Sequence, residues 1–428
     1  MSSPSLVDDD LIADLEARNL IHDSTDREFL RAAVTDGPVG IYYGCDPTAD
    51  SLHVGNLIGL VVLRRFQDAG HRAIALAGGA TGMVGDPGGR SEERNLLDED
   101  TLTYNVTKIK EQLARVVDLT DEQRGVLVDN RDWTREIGVL EFLRDVGKHV
   151  TVNQMLARES IKVRINSEHG ISFTEFSYML LQANDYLWLH DNLDCSIQIG
   201  GSDQWGNIIS GVDLIRRKRQ AHVHAFSWPL LTASDGTKLG KTTGARVWLD
   251  ATKTSPYQLR QYFMQTADAD VETQLLTFSL RPVAEIKELA AAHWVAPQLR
   301  LGQKALADDM VTLIHGADAA AAATEAADLL FSKDPGAASE AAFETLAAEI
   351  PFSQMTAMQL AEAPSALVAM NLATSNGDAR RTLAQKSYYV NGVQLDEKAE
   401  LSTHKLVHGK YLLVRKGKKS HHLVEQVL

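Results

Sequence analysis

Residues 9–33 set Leu and Ile at helical spacing among charged positions, a pattern that predicts an N-terminal amphipathic helix. The apolar run from Val39 to Tyr43 predicts a strand. After a polar loop, Gly55 to Ala69 places Leu57, Leu60 and Val61 on one face and stops at Gly70, which predicts a helix. Arg72 to Ala77 predicts a second strand, ending in the glycine-rich loop G-G-A-T-G-M-V-G-D-P-G-G. Strand, helix and strand within about forty residues make a βαβ unit and imply a parallel sheet. Val126 to Asp129 and Ser196 to Ile199 predict further strands, each closed by a polar or glycine-rich turn. In open parallel sheets, ligands bind beyond the carboxyl ends of the strands. The loops opening at Gly44, Gly78 and Gly200 fall at such ends.

From Ser255 to about Leu330 the pattern turns helical and alanine-rich. Residues 331–350, with K-D-P-G-A-A-S-E, read as a linker. After Pro351 a smaller unit carries S-N-G-D-A-R-R-T-L-A-Q-K and Y-Y-V-N-G-V, then ends in basic, β-rich sequence.

Composition narrows the classes. The chain has 428 residues, 44% apolar and 23% charged, a globular mix that excludes a disordered, collagen-like or disulfide-scaffold protein. Its length allows about three domains and a large core. Cys45 and Cys195 stand far apart in no paired motif, which argues against a disulfide framework or a cysteine-built zinc site. No uncharged apolar run approaches the ~18 residues of a membrane helix. The start, M-S-S-P-S-L-V-D-D-D, is acidic where a signal peptide is basic. A soluble, cytoplasmic protein with no membrane partner is expected. Net charge is −14, against a protein that coats nucleic acid. Residues 376–428 nevertheless hold ten Lys+Arg against five Asp+Glu, whereas residues 1–375 hold 33 against 52. The basic tail suits RNA and the acidic body something else.

Two motifs carry chemistry. C-D-P-T-A-D-S-L-H-V-G-N, Cys45 to Asn56, joins the first strand to the first helix. A helix N-terminus attracts phosphate, and His53 and Asn56, three apart, can face one ligand. Taken singly, this motif is also what a helix cap with a buried histidine looks like. D-G-T-K-L-G-K-T, Asp235 to Thr242, sets two lysines three apart in a glycine-containing loop. Such lysines can fold over a polyphosphate and neutralise developing charge; singly, the motif is also an ordinary solvated loop.

Together the two form the paired signature of class I aminoacyl-tRNA synthetases, and the chain closely resembles the bacterial tyrosyl-tRNA synthetases over nearly its whole length. The resemblance rests on six motifs in the family order: Y-Y-G-C-D-P-T-A-D-S-L-H-V-G-N, G-G-A-T-G-M-V-G-D-P, F-L-R-D-V-G-K-H, G-I-S-F-T-E-F-S-Y-M-L-L-Q, Q-I-G-G-S-D-Q-W-G-N and D-G-T-K-L-G-K-T. The HIGH-type motif ends in Asn56 in place of its second histidine; asparagine still donates a hydrogen bond. The KMSKS-type motif reads K-L-G-K-T.

The resemblance implies an α/β protein. A Rossmann-like parallel-sheet catalytic domain (1–232) is followed by a lysine-loop segment (233–250), an α-helical domain (251–330), the linker (331–350) and a small α+β RNA-binding domain (351–428). It implies activation of L-tyrosine by ATP with Mg²⁺, transfer to tRNA(Tyr), a homodimer with F-L-R-D-V-G-K-H near its interface, and no protein-ligated metal. On the phosphates, it places Thr48 and His53 against the departing pyrophosphate and closes Lys238, Lys241 and Thr242 over it. Arg90 and Arg94, in G-G-R-S-E-E-R, match basic positions of the family, Arg90 standing where lysine is common. Gly44, Asp46, Gly55 and Asn56 line the ATP site, and Asp203 holds its ribose. On the amino acid, Tyr42 and Asp185 match the pair that hydrogen-bonds the phenol. Asp86, Tyr178 and Gln182, with Gln204 nearby, match the cluster for the α-amino group, and Asn130 supports the carboxylate end. Tyr178, Gln182 and Asp185 are spaced i, i+4, i+7, one face of a helix. The C-terminal unit resembles a small RNA-binding domain first described in a ribosomal small-subunit protein. In it, Arg380 and Arg381 open a helix and Lys416, Lys418 and Lys419 crowd the last strand, for phosphate contact. Two other readings stay open here. A tryptophanyl relative is disfavoured by Asp185 opposite Tyr42. A non-catalytic RNA-binding paralogue need not keep Thr48, His53, Lys238 and Lys241.

Overall fold

A computed structural model describes residues 10–88, 97–166, 170–230, 232, 234, 241–242, 245–330, 332, 334–417 and 420–427. The N-terminal stretch expected as one amphipathic helix folds as two, α1 (Leu11–Ala17) and α2 (Arg27–Thr35). The break has local causes. Asn19 takes a left-handed backbone at φ 58°, and the Asp26 carboxylate accepts the Glu28 and Phe29 amides, starting a new helix.

The four expected strands are present, with bounds shifted by at most two residues at either end, as β1 (Gly40–Cys45), β2 (Arg72–Ala77), β3 (Gly125–Asp129) and β4 (Cys195–Gly201), and β5 (His224–Trp228) joins them. Helix α3 (Val54–Asp68) joins β1 to β2, and α4 (Glu99–Val116) joins β2 to β3. The sheet is parallel in the order β3-β2-β1-β4-β5. The chain winds one way from β1 to β3 and the other way through β4 and β5. The switch point is therefore between β1 and β4, where Tyr42 pairs with Gln198, and a crevice at the carboxyl ends follows from that topology. Under the sheet, the long helix Phe173–Leu193 lays Met179, Leu180, Ala183, Tyr186 and Leu187 into a core shared with Ile74, Leu76 and Leu214.

The chain divides into two compact units, residues 1–254 with 262–314 and residues 255–261 with 315–428. The second is built on a mixed sheet of β8 (Phe352–Thr356), β9 (Tyr388–Val390), β10 (Val393–Gln394), β11 (Tyr411–Lys416) and β12 (Ser420–Val427), in the order β10-β9-β11-β12-β8. In the first unit a two-stranded ribbon, β6 (Lys241–Thr242) and β7 (Ala245–Arg246), follows β5. The stretch expected as a linker holds the helix Glu340–Glu349. Its Phe343 and Leu346 are buried against Tyr411, Leu413 and Leu423, apolar surface that a solvated linker would not carry. Among the described residues, no helix is long and apolar enough to cross a membrane.

A buried charge cluster fastens the first unit together. Arg18 and Arg65 are almost completely buried, and both reach Asp14, at 2.8 Å and 3.3 Å. Other N–H groups of the pair go to carbonyls at and just beyond the end of helix Val271–Phe278, while Arg65 Nε is left unbonded. Arg18 donates to Leu276 (3.1 Å), Ser279 (3.3 Å) and Arg281 (2.6 Å), and Arg65 donates to Ser279. These are carbonyls a helix end leaves unpaired. Burial, with the Arg18 charge adding to it, pulls Arg65 down to about 9, while Asp14 and Asp68 oppose the shift. Asp14→Asn removes the carboxylate facing both guanidinium groups. It is expected to cost roughly 3–5 kcal/mol, the usual loss when a buried ion pair is broken, read as a lower midpoint in urea unfolding. Asp14→Glu should recover part of that loss.

Candidate active site

One cavity of about 420 Å³ opens at the switch point. Its wall includes Tyr42, Gly44, Asp46, Thr48, His53, Gly55, Asn56, Asp86, Tyr178, Gln182, Asp185, Asp203 and Gln204. The residues expected to handle the amino acid and those expected to handle the nucleotide thus meet in a single space, with β1 and β4 supplying its floor.

At the deep end sits a chain of hydrogen bonds. Asp185 is buried, and its two carboxylate oxygens accept from Trp133 Nε1 (2.8 Å) and Asn130 Nδ2 (2.9 Å). Asn130 also donates to Thr81 Oγ1 (3.0 Å) and accepts from the Ala80 amide (2.7 Å). Thr81 in turn donates to Asp46 Oδ1 (2.6 Å), whose Oδ2 accepts from the Tyr178 hydroxyl (2.7 Å). The glycines of the loop after β2 make room for this: a Cβ on Gly78 would meet Asp46 Oδ1 at 2.2 Å and Thr81 Oγ1 at 2.5 Å. Burial pushes Asp185 up to about 7, and the two donated hydrogen bonds hold it from rising further. Asn130 does not reach the cavity. It is fully buried and its amide holds Asp185 from behind the cavity wall, whereas the sequence places it in support of a ligand's carboxylate end.

Around this chain stand polar atoms with no protein partner. The Tyr42 hydroxyl and the Oε1 atoms of Gln182 and Gln198 are buried and unbonded. Each such atom costs about 1–3 kcal/mol unless something bonds it. Tyr178, with its hydroxyl hydrogen directed to Asp46, offers a lone pair to the cavity. Asp86 accepts from Gln204 Nε2 (2.5 Å) and from the Gly88 amide (3.0 Å).

At the other end, α3 begins with a reciprocal cap. His53 Nδ1 accepts the Gly55 amide (3.0 Å) while Asn56 Oδ1 accepts the His53 amide (3.1 Å). The residues of this motif thus cap the helix and also line the cavity. Because Nδ1 accepts, the ring proton is on Nε2, and because Asn56 Oδ1 is used, its NH₂ remains as donor. Burial, aided by the Arg246 charge, lowers His53 to about 4. Beneath it, Tyr43 packs edge-on to Trp228 at 5.6 Å and fills the space over Gly59, where a Cβ would lie 2.3 Å from the Tyr43 ring.

The remaining expected residues fall elsewhere. Lys241 and Thr242 form β6, opposite Arg246 and Ala245. Lys238, Arg90, Arg94, Lys418 and Lys419 lie outside the described residues. In the second unit, Arg380 and Arg381 are exposed on helix Asn376–Ala384. Lys416 instead turns into its own unit, donating to the Leu372 carbonyl (2.9 Å) with Asp378 at 3.9 Å. Sequence reasoning missed Trp133, Thr81, Gln198 and Arg246. Only Gln198 had a signal, a lone amide in the apolar strand C-S-I-Q-I-G-G.

Two outcomes follow from this geometry. Gly59→Ala should destabilise the fold by about 1–3 kcal/mol through overpacking, and adding Tyr43→Leu should remove most of that penalty in a double-mutant cycle of unfolding midpoints. The His53 ring signals should stay flat in NMR titration from pH 8 to about 5.5. An unfolded histidine takes its proton near 6.5, so this residue withdraws stability as pH falls from about 6.5 towards 4.

Comparison with known proteins identifies the architecture. Residues 35–332 match the family described as tRNA synthetases class I (W and Y), and residues 342–424 match the tyrosine–tRNA ligase SYY-like C-terminal domain. The tyrosine–tRNA ligase of Opitutus terrae is 47% identical over 425 residues, covering 97% of this chain and 100% of that protein. That of Cronobacter sakazakii is 44% identical over 424 residues, covering 98% and 99%. Among solved structures, a C-terminally truncated mitochondrial tyrosyl-tRNA synthetase of Aspergillus nidulans superposes with a TM-score of 0.68 at 34% identity, covering 75% of this chain and 94% of that one. With matches of this identity and extent in both units, the chain belongs to the tyrosine–tRNA ligase family of class I aminoacyl-tRNA synthetases.

Proposed function

We propose that this chain activates L-tyrosine with MgATP to tyrosyl-adenylate and pyrophosphate, then transfers tyrosine to the 3′-terminal adenosine of tRNA(Tyr). The observation that carries this reading is the buried Asp185 carboxylate beside the unbonded Tyr42 hydroxyl, in a cavity that also contains the N-terminus of α3.

Asp185 accepts the phenolic proton and the Tyr42 hydroxyl meets the phenolic oxygen. The substrate ammonium takes Asp86, Gln182 and the lone pair that Tyr178 presents while its hydroxyl donates to Asp46. The tyrosine carboxylate is ionised at neutral pH and attacks the α-phosphate without a general base, breaking the bond to the β-phosphate oxygen. The work left to the protein is positioning and charge stabilisation. Neutral His53 Nε2–H, the Asn56 amide, Thr48 and the helix dipole act on the phosphates, Lys238, Lys241, Thr242, Arg90 and Arg94 supply further donors, and Asp203 holds the ribose. In the second step a terminal ribose hydroxyl attacks the carbonyl carbon and AMP leaves. Residues 351–428 carry the RNA contact through Arg380 and Arg381. Exposed Val139, Leu140 and Leu143, in the helix Val139–Asp145 whose last four residues open F-L-R-D-V-G-K-H, support a homodimer. A cytoplasmic site of action goes with this reading.

The test is isotopic exchange between pyrophosphate and ATP, expected with tyrosine and absent with tryptophan. Phenylalanine would leave Asp185 and Tyr42 unpaired. Tyr42→Phe should therefore erode discrimination between tyrosine and phenylalanine by about tenfold, and Asp185→Asn by more, since hydrogen bonds to charged groups contribute roughly 1.5–3 kcal/mol against ~1 for neutral ones. An unchanged ratio in both variants would mean the phenol is read by other residues.

A further inference from the structure

The cavity has the wrong charge for half of its proposed contents. Four carboxylates face it, from Asp46, Asp86, Asp185 and Asp203, whereas among the described lining residues Arg246 is the one cation, His53 being neutral. An ammonium suits that wall. A triphosphate does not, unless cationic groups answer it locally.

Arg246 is built into the same piece of backbone as His53. It ends β7, and the next three residues pair with the segment that leads into α3. The Val54 amide donates to the Val247 carbonyl (3.0 Å) and the Leu249 amide to the Leu52 carbonyl (2.8 Å). Trp248, between them, is fixed by its amide on Thr254 Oγ1 (3.0 Å) and meets the His53 ring edge-on at 6.3 Å. The Arg246 guanidinium lies over this indole, 5.6 Å from the ring centre. Its side chain is exposed, and among the described residues it makes no ion pair. The site therefore presents a planar, permanently charged donor, held by an aromatic platform at the end of the cavity where α3 begins. Guanidinium groups bind phosphate through two parallel hydrogen bonds, which an ammonium cannot do.

Building on the function proposed above, we propose that Arg246, seated on Trp248, binds the β- and γ-phosphates of ATP and the departing pyrophosphate, as a phosphate-binding residue outside the lysine motif. That the positive charge of Arg246 helps to keep His53 unprotonated agrees with their closeness.

The experiment uses the full-length protein. Tyrosine-dependent exchange by the unaltered chain tests the underlying reading. Arg246→Gln then tests the inference, with KM for ATP and for pyrophosphate each expected to rise roughly tenfold or more, while tyrosine affinity by calorimetry stays within about twofold. Arg246→Lys should recover only part of the loss, and Trp248→Leu should reproduce part of it. Calorimetry with inorganic pyrophosphate alone should show weaker binding to Arg246→Gln, a readout that stands even if no exchange is seen. Unchanged KM values and unchanged pyrophosphate binding would overturn the proposal. So would an equal loss of tyrosine affinity, which would make Arg246 a structural residue.

Discussion

The site depends on one line of buried hydrogen bonds, Tyr178 to Asp46 to Thr81 to Asn130 to Asp185 to Trp133. It ties the carboxyl end of β1, the loop after β2, the residue after β3 and two turns of the helix Phe173–Leu193. Each link orients the next: accepting from Asn130 turns the Thr81 hydroxyl proton towards Asp46, and taking the Ala80 amide on its oxygen turns the Asn130 NH₂ towards Thr81 and Asp185. A buried polar network of this kind is costly when incomplete and rigid when complete. Rigidity is what lets two carboxylates and a phenol keep chosen directions in a space large enough for a ligand.

The same line divides the electrostatics of the cavity. Two of the four carboxylates on the cavity wall, Asp46 and Asp185, belong to this line, and the cost of keeping them there is visible in Asp185, pushed up to about 7 by burial and held from rising further by two donors. The other end is made instead from backbone: the first turn of α3, a neutral imidazole and an amide that cap it, and a ribbon that brings a guanidinium alongside. The topological switch thus gives one crevice two different walls.

Much of this was legible in the residues. The period-two and period-3.6 patterns gave β1, α3 and β2 nearly to the residue, because each has an apolar face and ends in Gly or a polar turn. The six motifs gave the family, and the helical spacing of Tyr178, Gln182 and Asp185 gave their shared face. What stayed hidden depends on contacts between distant segments. Nothing near Trp133 marks it as a partner of Asp185, 52 residues away. The hold of Asn130 on Asp185 stayed hidden because a position beside a strand end says nothing of which way the amide turns. The N-terminal stretch has helical periodicity throughout, and only the competing local bonds of Asn19 and Asp26 cut it in two. Lys416 looks like a free basic residue until the Leu372 carbonyl is folded against it. Arg246 carries no motif, and its meaning comes from the backbone pairing that follows it.

The buried guanidinium groups of α1 and α3 have a consequence for synthesis. Arg18 and Arg65 are completed by the Ser279 carbonyl, 261 and 214 residues further along the chain. At the ribosomal pace of roughly 5–20 residues per second, that carbonyl appears about 10–40 s after Arg65. Until then the two guanidinium groups have Asp14 as partner but lack the carbonyls that complete their burial. The cluster is finished only when the helix Val271–Phe278 has been made, so a late part of the first unit is what locks its beginning.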